Sequence, residues 1–596
     1  MLGPMFGARF DDAETGRSFV LVKPQEAIVA NDIDEVVSAV RAASRAAAAG
    51  KWVAGYLAYE AAPAFDGALT VRFGYGGPLA WFGVFGGADK VDEPNLDPNI
   101  AGSYSVSRWT PSLDEQAYET SFDAVHRHIE IGDAYQVNRT FFLRAAVSGR
   151  PDLMYAQLVA AQRPRYAAHV WHDARHILSV SPERFFGIED GRITTRPMKG
   201  TSPRGRWMAE DEEKRQALVD SEKDRAENLM IVDLIRNDLG RIAEFGSVHV
   251  DELFSIEKYR SVWQMTSQIS ANINPTTELV DVFEALFPCG SVTGAPKASS
   301  MEIIADQESE PRGVYCGAIG FIPPGDGVDG ASFNVAIRTA ILDEAEGIAT
   351  YGVGGAITWS SDSAGEYSEA LTKALVLTDR SEIPRLFESI RWDDGYLYLE
   401  EHLERLCSSS RYWGGRVDPQ AARELLRGLD DSLTGPSKVR LICSGDGVAE
   451  TEVAAAPMRF TTHPGPAREP IELAIDERPI SSADARSFHK LVDRRHYDDR
   501  RRRHPYADDV LCVNEHGHIT ESTIANVAFL MDGRWVTPRM EEGLLPGILR
   551  AVLLNDGTIV EGVVTIPQAR GAQAIGLINS VRGWYPAVLV DDDSQT

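Results

Sequence analysis

Residues 195–201 read Thr-Arg-Pro-Met-Lys-Gly-Thr, and this stretch governs the interpretation of the first half of the chain. Lys199 follows Pro197 by two residues and directly precedes Gly200, so its side chain leaves a constrained loop rather than a helix surface. A lysine that is partly removed from water can act as a nucleophile at neutral pH. We therefore treat Lys199 as a candidate catalytic residue.

Two pairs of carboxylates lie downstream of this loop in helical patterns. Asp224 and Glu227 are three residues apart, as are Glu366 and Glu369, so each pair shares one face of a helix. Four carboxylates on two facing helices would form an all-oxygen site, which suits a hard cation such as Mg²⁺. From the residues alone, the alternative that each pair is an exposed acidic face stays open.

Other segments of the first half are equally dense in glycine and polar residues. They are Gly-Asp-Ala-Tyr-Gln-Val-Asn-Arg-Thr at 132–140, Ser-Pro-Glu-Arg-Phe at 181–185, Gly-Ser-Val-Thr-Gly-Ala-Pro-Lys at 290–297, Arg-Thr at 338–339 and Gly-Val-Gly-Gly at 352–355. Together, over roughly residues 50–378, these segments resemble the chorismate-utilising enzymes, and specifically aminodeoxychorismate synthase component I. The resemblance implies a large α+β sandwich with the site between two β-sheets, and Mg²⁺ holding a carboxylate of chorismate.

The resemblance also implies a role for individual residues. Glu227 and Glu369 become the principal metal ligands, with Asp224 and Glu366 beside them, and Glu183 becomes the general acid that protonates the departing ring hydroxyl. The implied substrate contacts are Arg338, whose planar fork matches a carboxylate, together with Thr293, Gly317, Gly354, Gly355 and Lys373.

Lys199 distinguishes two branches of this family. Anthranilate synthases have alanine at the equivalent loop position, whereas aminodeoxychorismate synthases have lysine, which is proposed to attack the ring as the 4-hydroxyl leaves. The resemblance therefore implies 4-amino-4-deoxychorismate as the product. Neither Cys289 nor Cys316 lies in the Gly-x-Cys-x-Gly pattern of a glutaminase, so we expect a separate glutaminase partner to supply ammonia.

The second half contains a lysine, a downstream acid and small turns, which is what pyridoxal phosphate requires. Residues from about 386 to 590 resemble the fold-type IV pyridoxal-phosphate enzymes, a group of aminotransferases and aminodeoxychorismate lyases. The resemblance makes Lys490 the cofactor-binding lysine and proton shuttle and Glu521 the partner of the pyridine nitrogen; it assigns the phosphate to Arg405, Ile548, Ser580 and Val581. The family often has His-Lys-Thr-Thr around the lysine; here Leu-Val-Asp follows it, which leaves the substrate contacts undefined.

A fold of this type leaves a transaminase and a lyase both open. Because the first half resembles an enzyme that makes aminodeoxychorismate, we expect the second half to be the lyase that removes its pyruvyl group. The whole chain would then convert chorismate to 4-aminobenzoate, a precursor in folate biosynthesis. The alternative is a synthase-like or anthranilate synthase-like first half fused to a class IV aminotransferase. The family also suggests a homodimer through the second half.

Length and composition limit the number of domains and the classes of function that the chain can have. The chain has 596 residues, which exceeds what one core usually supports, and we place a boundary at residue 380, giving domains 1–380 and 381–596. A formal charge of −28 argues against nonspecific nucleic-acid binding. No apolar run is long enough to span a membrane, and five scattered cysteines favour a reducing cytoplasm. The basic run at 494–504 is interpreted as a solvated, charged helix end.

Overall fold

A computed structural model of the chain describes residues 6–94, 104–260, 262–378, 383–445, 447, 449–458, 460–465 and 469–591. The chain divides into two compact units, Met1–Pro203 with Arg215–Arg380 and Arg204–Lys214 with Ser381–Thr596. The predicted boundary at residue 380 lies outside the described residues. The second unit is not continuous in sequence, because residues 204–214 belong to it although they come from the first half of the chain.

Up to residue 378 the chain consists mainly of strands. The strands are β1 (Phe6–Asp12), β2 (Arg17–Ala30), β3 (Trp52–Leu57), β4 (Ala80–Lys90), β5 (Tyr104–Val106), β6 (Thr110–Pro111), β7 (Gln136–Gly149), β8 (Tyr166–His172), β9 (Arg175–Ser181), β10 (Arg184–Glu189), β11 (Arg192–Arg196), β12 (Met198–Pro203), β13 (His249–Lys258), β14 (Val262–Asn272), β15 (Gly294–Ala295), β16 (Ala318–Ile322), β17 (Ser332–Val335), β18 (Thr339–Asp343) and β19 (Ile348–Thr358). The helices are α1 (Ile33–Ala48), α2 (Glu115–Glu130), α3 (Pro151–Gln162), α4 (Met208–Asp220), α5 (Glu222–Leu239), α6 (Leu279–Leu286), α7 (Lys297–Gln307) and α8 (Ser363–Thr372).

The strand pairings in the first unit are antiparallel throughout the described residues. The order runs β13–β14–β11–β10–β17–β16–β3–β4–β2–β1–β8–β9–β18–β19–β7, with β12 also on β14. The expected two sheets are therefore joined into one hydrogen-bonded network. The 14-residue strand β2 is one link in this network and pairs with β1 through residues 17–20 and with β4 through residues 19–30.

The helices that carry the predicted metal ligands begin at clear capping residues. The Ser221 hydroxyl accepts a hydrogen bond from the Asp224 N–H at the start of α5, and the Asp362 carboxylate accepts one from the Gly365 N–H at the start of α8. Each helix is thereby fixed at the end that bears its carboxylates. Helix α5 packs its apolar face into the larger core of the unit through Ile231, Val232 and Ile235.

From residue 383 onwards the chain forms two sheets and several helices. The strands are β20 (Leu386–Trp392), β21 (Ser437–Cys443), β22 (Ala449–Ala455), β23 (Ile471–Ile480), β24 (Asp509–Asn514), β25 (Ile519–Ser522), β26 (Asn526–Met531), β27 (Arg534–Pro538), β28 (Val560–Gly562), β29 (Ala574–Asn579) and β30 (Gly583–Leu589). The helices are α9 (Leu399–Trp413), α10 (Pro419–Arg427), α11 (Arg495–Arg503), α12 (Ile548–Asn555) and α13 (Ile566–Arg570).

The two sheets of this unit differ in type. Strands β20–β21–β22 form a small antiparallel sheet, whereas β25–β24–β23–β30–β29–β26–β27–β28 form a mixed one with parallel pairs at β23–β24, β23–β30 and β27–β28. The predicted α+β class is confirmed for both parts of the chain. No helix among the described residues is long and apolar enough to cross a membrane.

Candidate functional site

The first unit contains a cavity that is lined by elements from both ends of the strand order given above. Strand β12 and helix α5 come from one end, and β19 from the other. Ten of the residues predicted from the sequence line it: Glu183, Lys199, Asp224, Glu227, Arg338, Gly354, Gly355, Glu366, Glu369 and Lys373. These side chains are separated by up to 190 positions in sequence, and the antiparallel topology brings them to one place.

Lys199 lies inside this cavity. Its Nζ is 3.3 Å from Oε2 of Glu227, and its side chain is 16% exposed. The next residue, Gly200, has a φ of +97°, and a Cβ there would come within 3.0 Å of the Asp224 Cβ. Lys199 and Gly200 lie in strand β12 rather than in the loop expected from the sequence, and glycine allows this strand to approach helix α5 closely.

The predicted metal ligands are held by neighbouring polar groups. Lys373 Nζ lies 2.9 Å from Oε1 of Glu369 and lowers the pKa of that carboxyl group. The Ser361 hydroxyl donates to Glu366 at 2.6 Å, while burial raises the pKa of Glu366. Thr358 Oγ1 donates to Glu227 at 3.4 Å.

The donors at this site have the chemistry that Mg²⁺ requires, but they are not gathered around one point. All four carboxylates line the same cavity and offer hard oxygen ligands. Among the described residues, no three His, Cys, Asp or Glu side chains are grouped tightly enough to hold a metal ion. Lysine ammonium groups instead neutralise Glu227 and Glu369, so a cation would have to replace these ion pairs.

Glu183 is a buried acid at the wall of the cavity. It lies between β9 and β10 and is only 2% exposed. The Ser291 hydroxyl donates to its Oε1 at 2.6 Å, and Cys289 Sγ lies 3.9 Å from the same oxygen. Burial raises the pKa of Glu183 to about 8, so the group carries a proton at neutral pH and can donate it.

Arg338 is held in a strained backbone conformation. Its φ is +52°, which is uncommon for a residue other than glycine. Its Nη1 donates to the Lys373 carbonyl at 2.7 Å, and Lys373 Nζ in turn donates to the Gly354 carbonyl at 2.8 Å. Arg338, Lys373 and the β19 backbone therefore form one connected wall of the cavity. Strain of this kind is often found where a side chain must point at a ligand.

Two predicted substrate contacts do not line the cavity. Thr293 is fully buried, and its hydroxyl faces the backbone carbonyls of Cys289 and Gly290 at 3.3 and 3.4 Å. Gly317 is packed so closely that a Cβ would meet the Leu57 carbonyl at 2.1 Å. Both residues support neighbours that do line it, Val292 and Cys316.

The sequence interpretation missed Ser291, although it lies inside the segment 290–297 singled out there. A hydroxyl next to a glycine in a polar turn was the available signal, but its partner Glu183 is 108 positions away. Gln264 was also missed. Its amide donates to the Gly200 carbonyl at 2.8 Å and so helps to fix the strand that carries Lys199.

The second unit contains a cavity of its own. Lys490, Glu521, Arg405, Ile548 and Ser580 line it, as do Arg486, Arg494 and Tyr497. Val581, which was also assigned to the phosphate, does not line it: its N–H donates to the Asn579 side chain at 3.1 Å.

Lys490 lies next to strand β20. Its carbonyl accepts a hydrogen bond from the Phe387 N–H at 2.9 Å, and its Nζ lies 5.0 Å from the centre of the Phe387 ring. Burial, reinforced by the charge of Arg405, lowers the pKa of Lys490 to about 7. A substantial fraction of the amine is thus neutral at pH 7, which is the form that reacts with an aldehyde.

Glu521 is a buried carboxyl group that lines the same cavity as this lysine. It is 5% exposed, and burial raises its pKa to about 7. The Tyr497 hydroxyl donates to Oε1 at 2.6 Å, and the Leu545 N–H donates to Oε2 at 3.3 Å. Tyr497 was not predicted; its position seven residues after Lys490, near the start of a helix, was the only signal.

Arg405 is fixed by a buried acid that was likewise not predicted. Glu388 accepts from Arg405 Nε at 2.8 Å and Nη2 at 2.6 Å, and it faces His402 Nδ1 at 2.7 Å. Burial opposes the charge of Glu388, but Arg405 and His402 outweigh it and lower the pKa to about 2. Arg405 Nη1 also donates to the Pro546 carbonyl at 2.9 Å. A guanidinium has five N–H groups, so two remain for a ligand.

These residues fit pyridoxal phosphate. A lysine with a partly neutral amine, a carboxyl group for the pyridine nitrogen and an oriented arginine share one cavity. Helix α12 begins at Ile548 beside them, with Gly547 as its N-cap, and the free N–H groups of a helix start suit a phosphate.

Comparisons with known proteins identify the families that the two parts of the chain match. The family model described as chorismate binding enzyme matches residues 8–379, and the model described as amino-transferase class IV matches residues 385–590. Aminodeoxychorismate synthase component 1 of Klebsiella aerogenes is 38% identical over 275 residues, which cover 46% of this chain and 60% of that protein. Anthranilate synthase component 1 of Aquifex aeolicus is 36% identical over 275 residues, covering 46% of this chain and 55% of the relative.

The matched region thus spans a little over half the length of these curated relatives. Among solved structures, anthranilate synthase component I from Streptococcus pneumoniae TIGR4 superposes with a TM-score of 0.52 at 24% identity, over 63% of this chain and 91% of that one. That likeness concerns the fold. The chain belongs to the family of chorismate binding enzymes, and this domain is fused to one with the class IV aminotransferase fold.

Proposed function

We propose that this chain converts chorismate to 4-aminobenzoate in two reactions, amination to 4-amino-4-deoxychorismate in the first unit and elimination of pyruvate in the second. The observation that carries the proposal is the position of Lys199. Its ammonium lies in the cavity, 3.3 Å from Glu227 and in the same lining as Glu183 and Arg338. Relatives named aminodeoxychorismate synthase and relatives named anthranilate synthase are both similar to the first unit, so the lysine is the discriminating feature.

In the amination, the Lys199 ammonium first gives one proton to solvent and reacts as the neutral amine. Its Nζ then forms a bond to a ring carbon of chorismate as the bond to the 4-hydroxyl breaks. Glu183 gives its proton to the departing oxygen, which leaves as water; the high pKa of Glu183 keeps this proton available at neutral pH. Ammonia then forms a bond at C4 and the lysine is released as an amine. Arg338 is placed to bind a substrate carboxylate through its planar fork. Bound Mg²⁺, held by Glu227 and Glu369 with Asp224 and Glu366 nearby, would neutralise a second substrate carboxylate.

The ammonia is expected to come from a separate glutaminase. Cys289 and Cys316 are both buried, and burial raises the pKa of each thiol to about 12, so neither is suited to act as a nucleophile. The relative from Klebsiella aerogenes carries the designation component 1, which is compatible with such a division of labour.

In the second unit, Lys490 is the residue that binds pyridoxal phosphate and moves a proton. Bound there, the cofactor would supply an electron sink for breaking bonds next to the substrate amine. Glu521 would contact the pyridine nitrogen, while Arg405, Ser580 and the start of helix α12 at Ile548 would hold the phosphate. Lys490 Nζ takes the proton from ring C4, and the bond between the ring and the enolpyruvyl oxygen breaks as the ring becomes aromatic. Lys490 then returns the proton to the departing enolpyruvate, which becomes pyruvate.

The direct test supplies chorismate, Mg²⁺, ammonia and pyridoxal phosphate to the protein and identifies the products by mass. We expect 4-aminobenzoate and pyruvate. Lys199→Ala should stop amination at C4 or divert the product to anthranilate, whereas Lys223→Ala, a lysine on the same cavity, should retain the 4-amino product. An unaltered yield of aminodeoxychorismate from Lys199→Ala would refute the nucleophilic role.

The second step is tested by Lys490→Ala. This variant should accumulate aminodeoxychorismate, and it should lose the absorbance near the visible edge that lysine-bound pyridoxal phosphate gives. An aminotransferase is the second candidate, because the family model that matches residues 385–590 is named for that activity. Transfer of an amino group from amino acids to a keto acid, without release of pyruvate from aminodeoxychorismate, would favour it.

A further inference from the structure

Arg494 lies at the wall of the second cavity, four residues after Lys490. Its guanidinium donates to the Thr523 carbonyl and lies 4.6 Å from the centre of the Tyr497 ring. Among the described residues it forms no ion pair with a carboxylate. Glu521 lines the same cavity and interacts with Arg494 through its charge, but no carboxylate of the described residues lies close enough to Arg494 for an ion pair. The guanidinium can therefore still bind an anionic ligand.

The other arginines of this cavity are already paired. Arg405 binds Glu388 at 2.6 Å, and Arg486 binds Asp484 at 2.7 Å. Within the part of the chain that the structure describes, Arg494 therefore contributes a positive charge that no carboxylate pairs with, while Arg405 is the arginine assigned to the cofactor phosphate.

The basic run at 494–504 is thus not uniform. Arg495 pairs with Asp493 at the surface, and Arg503 reaches the buried carboxylate of Asp476, which Arg500 approaches at 3.6 Å. These ion pairs account for the charges of Arg495, Arg500 and Arg503, which lie on helix α11. Arg494 precedes the helix and lines the cavity instead.

We propose that Arg494 binds a carboxylate of the substrate in the second unit and so selects a dicarboxylate such as 4-amino-4-deoxychorismate. The inference rests on the proposed function, because the substrate class comes from it. Aminodeoxychorismate has one carboxylate on the ring and one on the enolpyruvyl group, and the fork of an arginine matches either through two parallel hydrogen bonds. Arg494 contacts Thr523 and Tyr497, and neither is among the residues assigned to the cofactor phosphate, which are Arg405, Ser580 and Ile548.

The test compares Arg494→Gln with Arg495→Gln in the full chain loaded with pyridoxal phosphate. The two changes remove the same charge from adjacent positions, and Arg495 has a side chain that is 85% exposed and paired with Asp493. Arg494→Gln should raise KM for aminodeoxychorismate roughly 10- to 100-fold, the loss of one charge-assisted contact. Because the contact exists before and during the reaction, kcat should change little. Arg495→Gln should leave both constants within about twofold, and Arg494→Lys should restore part of the affinity.

A binding measurement provides a readout that does not depend on turnover. Calorimetry with 4-aminobenzoate and with aniline measures the contribution of the ring carboxylate, and pyruvate serves as the probe for the second one. The unmodified protein should bind 4-aminobenzoate more tightly than aniline, or should bind pyruvate. Arg494→Gln should lose this carboxylate-dependent binding, whereas Arg495→Gln should retain it.

Three results would count against the assignment. Unchanged KM and unchanged probe affinities in Arg494→Gln would overturn it. A weakened affinity for pyridoxal phosphate itself, measured by absorbance titration, would overturn it by making Arg494 a cofactor ligand. Failure of the unmodified protein to release pyruvate from aminodeoxychorismate would overturn the proposed function and this inference together. The first two results overturn only the assignment of Arg494, so the two kinds of failure are distinguishable.

Discussion

At the scale of single residues, Glu183 determines how the first site should respond to pH. Burial is the main cause of its raised pKa of about 8, and hydrogen bonds from Ser291 and Cys289 act in the opposite direction. The proton is therefore present below pH 8 and is lost above it. A general acid must carry its proton at the start of the reaction.

We predict that amination falls as the pH rises through about 8, with kcat measured from pH 6 to 10.

Ser291→Ala removes a donor that stabilises the charged carboxylate of Glu183. The alkaline limb of the pH profile should therefore move to higher pH, and kcat should fall because the acid is less well oriented. Glu183→Gln should lower kcat roughly 10²- to 10⁴-fold. A flat profile between pH 7 and 10 in the unmodified protein would contradict the assignment of Glu183 as the acid.

At the scale of elements, the approach of strand β12 to helix α5 depends on Gly200. Its φ of +97° is left-handed, and a Cβ at this position would lie only 3.0 Å from the Asp224 Cβ, so a larger side chain requires a shift. This contact holds the strand that carries Lys199 against the helix that bears two of the four carboxylates.

We predict that Gly200→Ala lowers the stability of the first unit by about 1 kcal/mol or more, because alanine is strained at this φ, and that it also reduces amination by moving Lys199 away from Glu227. Gly132→Ala is the matched control: its φ is +87°, but nothing lies within 4 Å of its Cβ position. Thermal unfolding of both variants measures the effect of backbone strain, and kcat measures the effect of displacing the strand that carries Lys199. An equal loss of activity in both would show that the close approach to α5 is unimportant.

At the scale of the whole molecule, the second unit includes a segment that is distant in sequence. Within that unit, the Tyr412 hydroxyl donates to the Gly205 carbonyl at 2.7 Å, and His489 Nε2 lies 3.1 Å from the Arg206 carbonyl. Trp207 packs on the Phe488 ring with centroids 4.9 Å apart. Phe488 and His489 are the residues directly before Lys490, so the segment 204–214 supports the lysine.

We predict that residues 383–596 produced alone are less stable than the same unit in the full chain. Removing residues 204–214 takes away the hydrogen-bond partners of Tyr412 and His489, each worth about 0.5–1.5 kcal/mol net, and the Trp207 ring that packs on Phe488. Calorimetry of the fragment with and without a peptide of residues 204–214 measures the difference. An unfolding temperature of the fragment equal to that of the same unit in the full chain would contradict the prediction.

The amino-acid sequence by itself determined the main candidate residues of both cavities. Lys199, Glu183 and the carboxylate pairs on α5 and α8 were identifiable as candidates. Their residue types and local spacing, together with the family resemblance, match those of a nucleophile, an acid and oxygen ligands. Lys490, Glu521 and Arg405 were identifiable for the same reason. The α+β class followed from the family resemblance that these segments carry.

Only the tertiary structure decided which groups orient these residues. Ser291 meets Glu183 across 108 positions, and Glu388 meets Arg405 on a different element. It also decided that residues 204–214 belong to the second unit and that Arg494 differs from its basic neighbours. Partners of this kind depend on strand order and helix packing, which bring distant residues within hydrogen-bond distance, and no local pattern of side chains records that proximity.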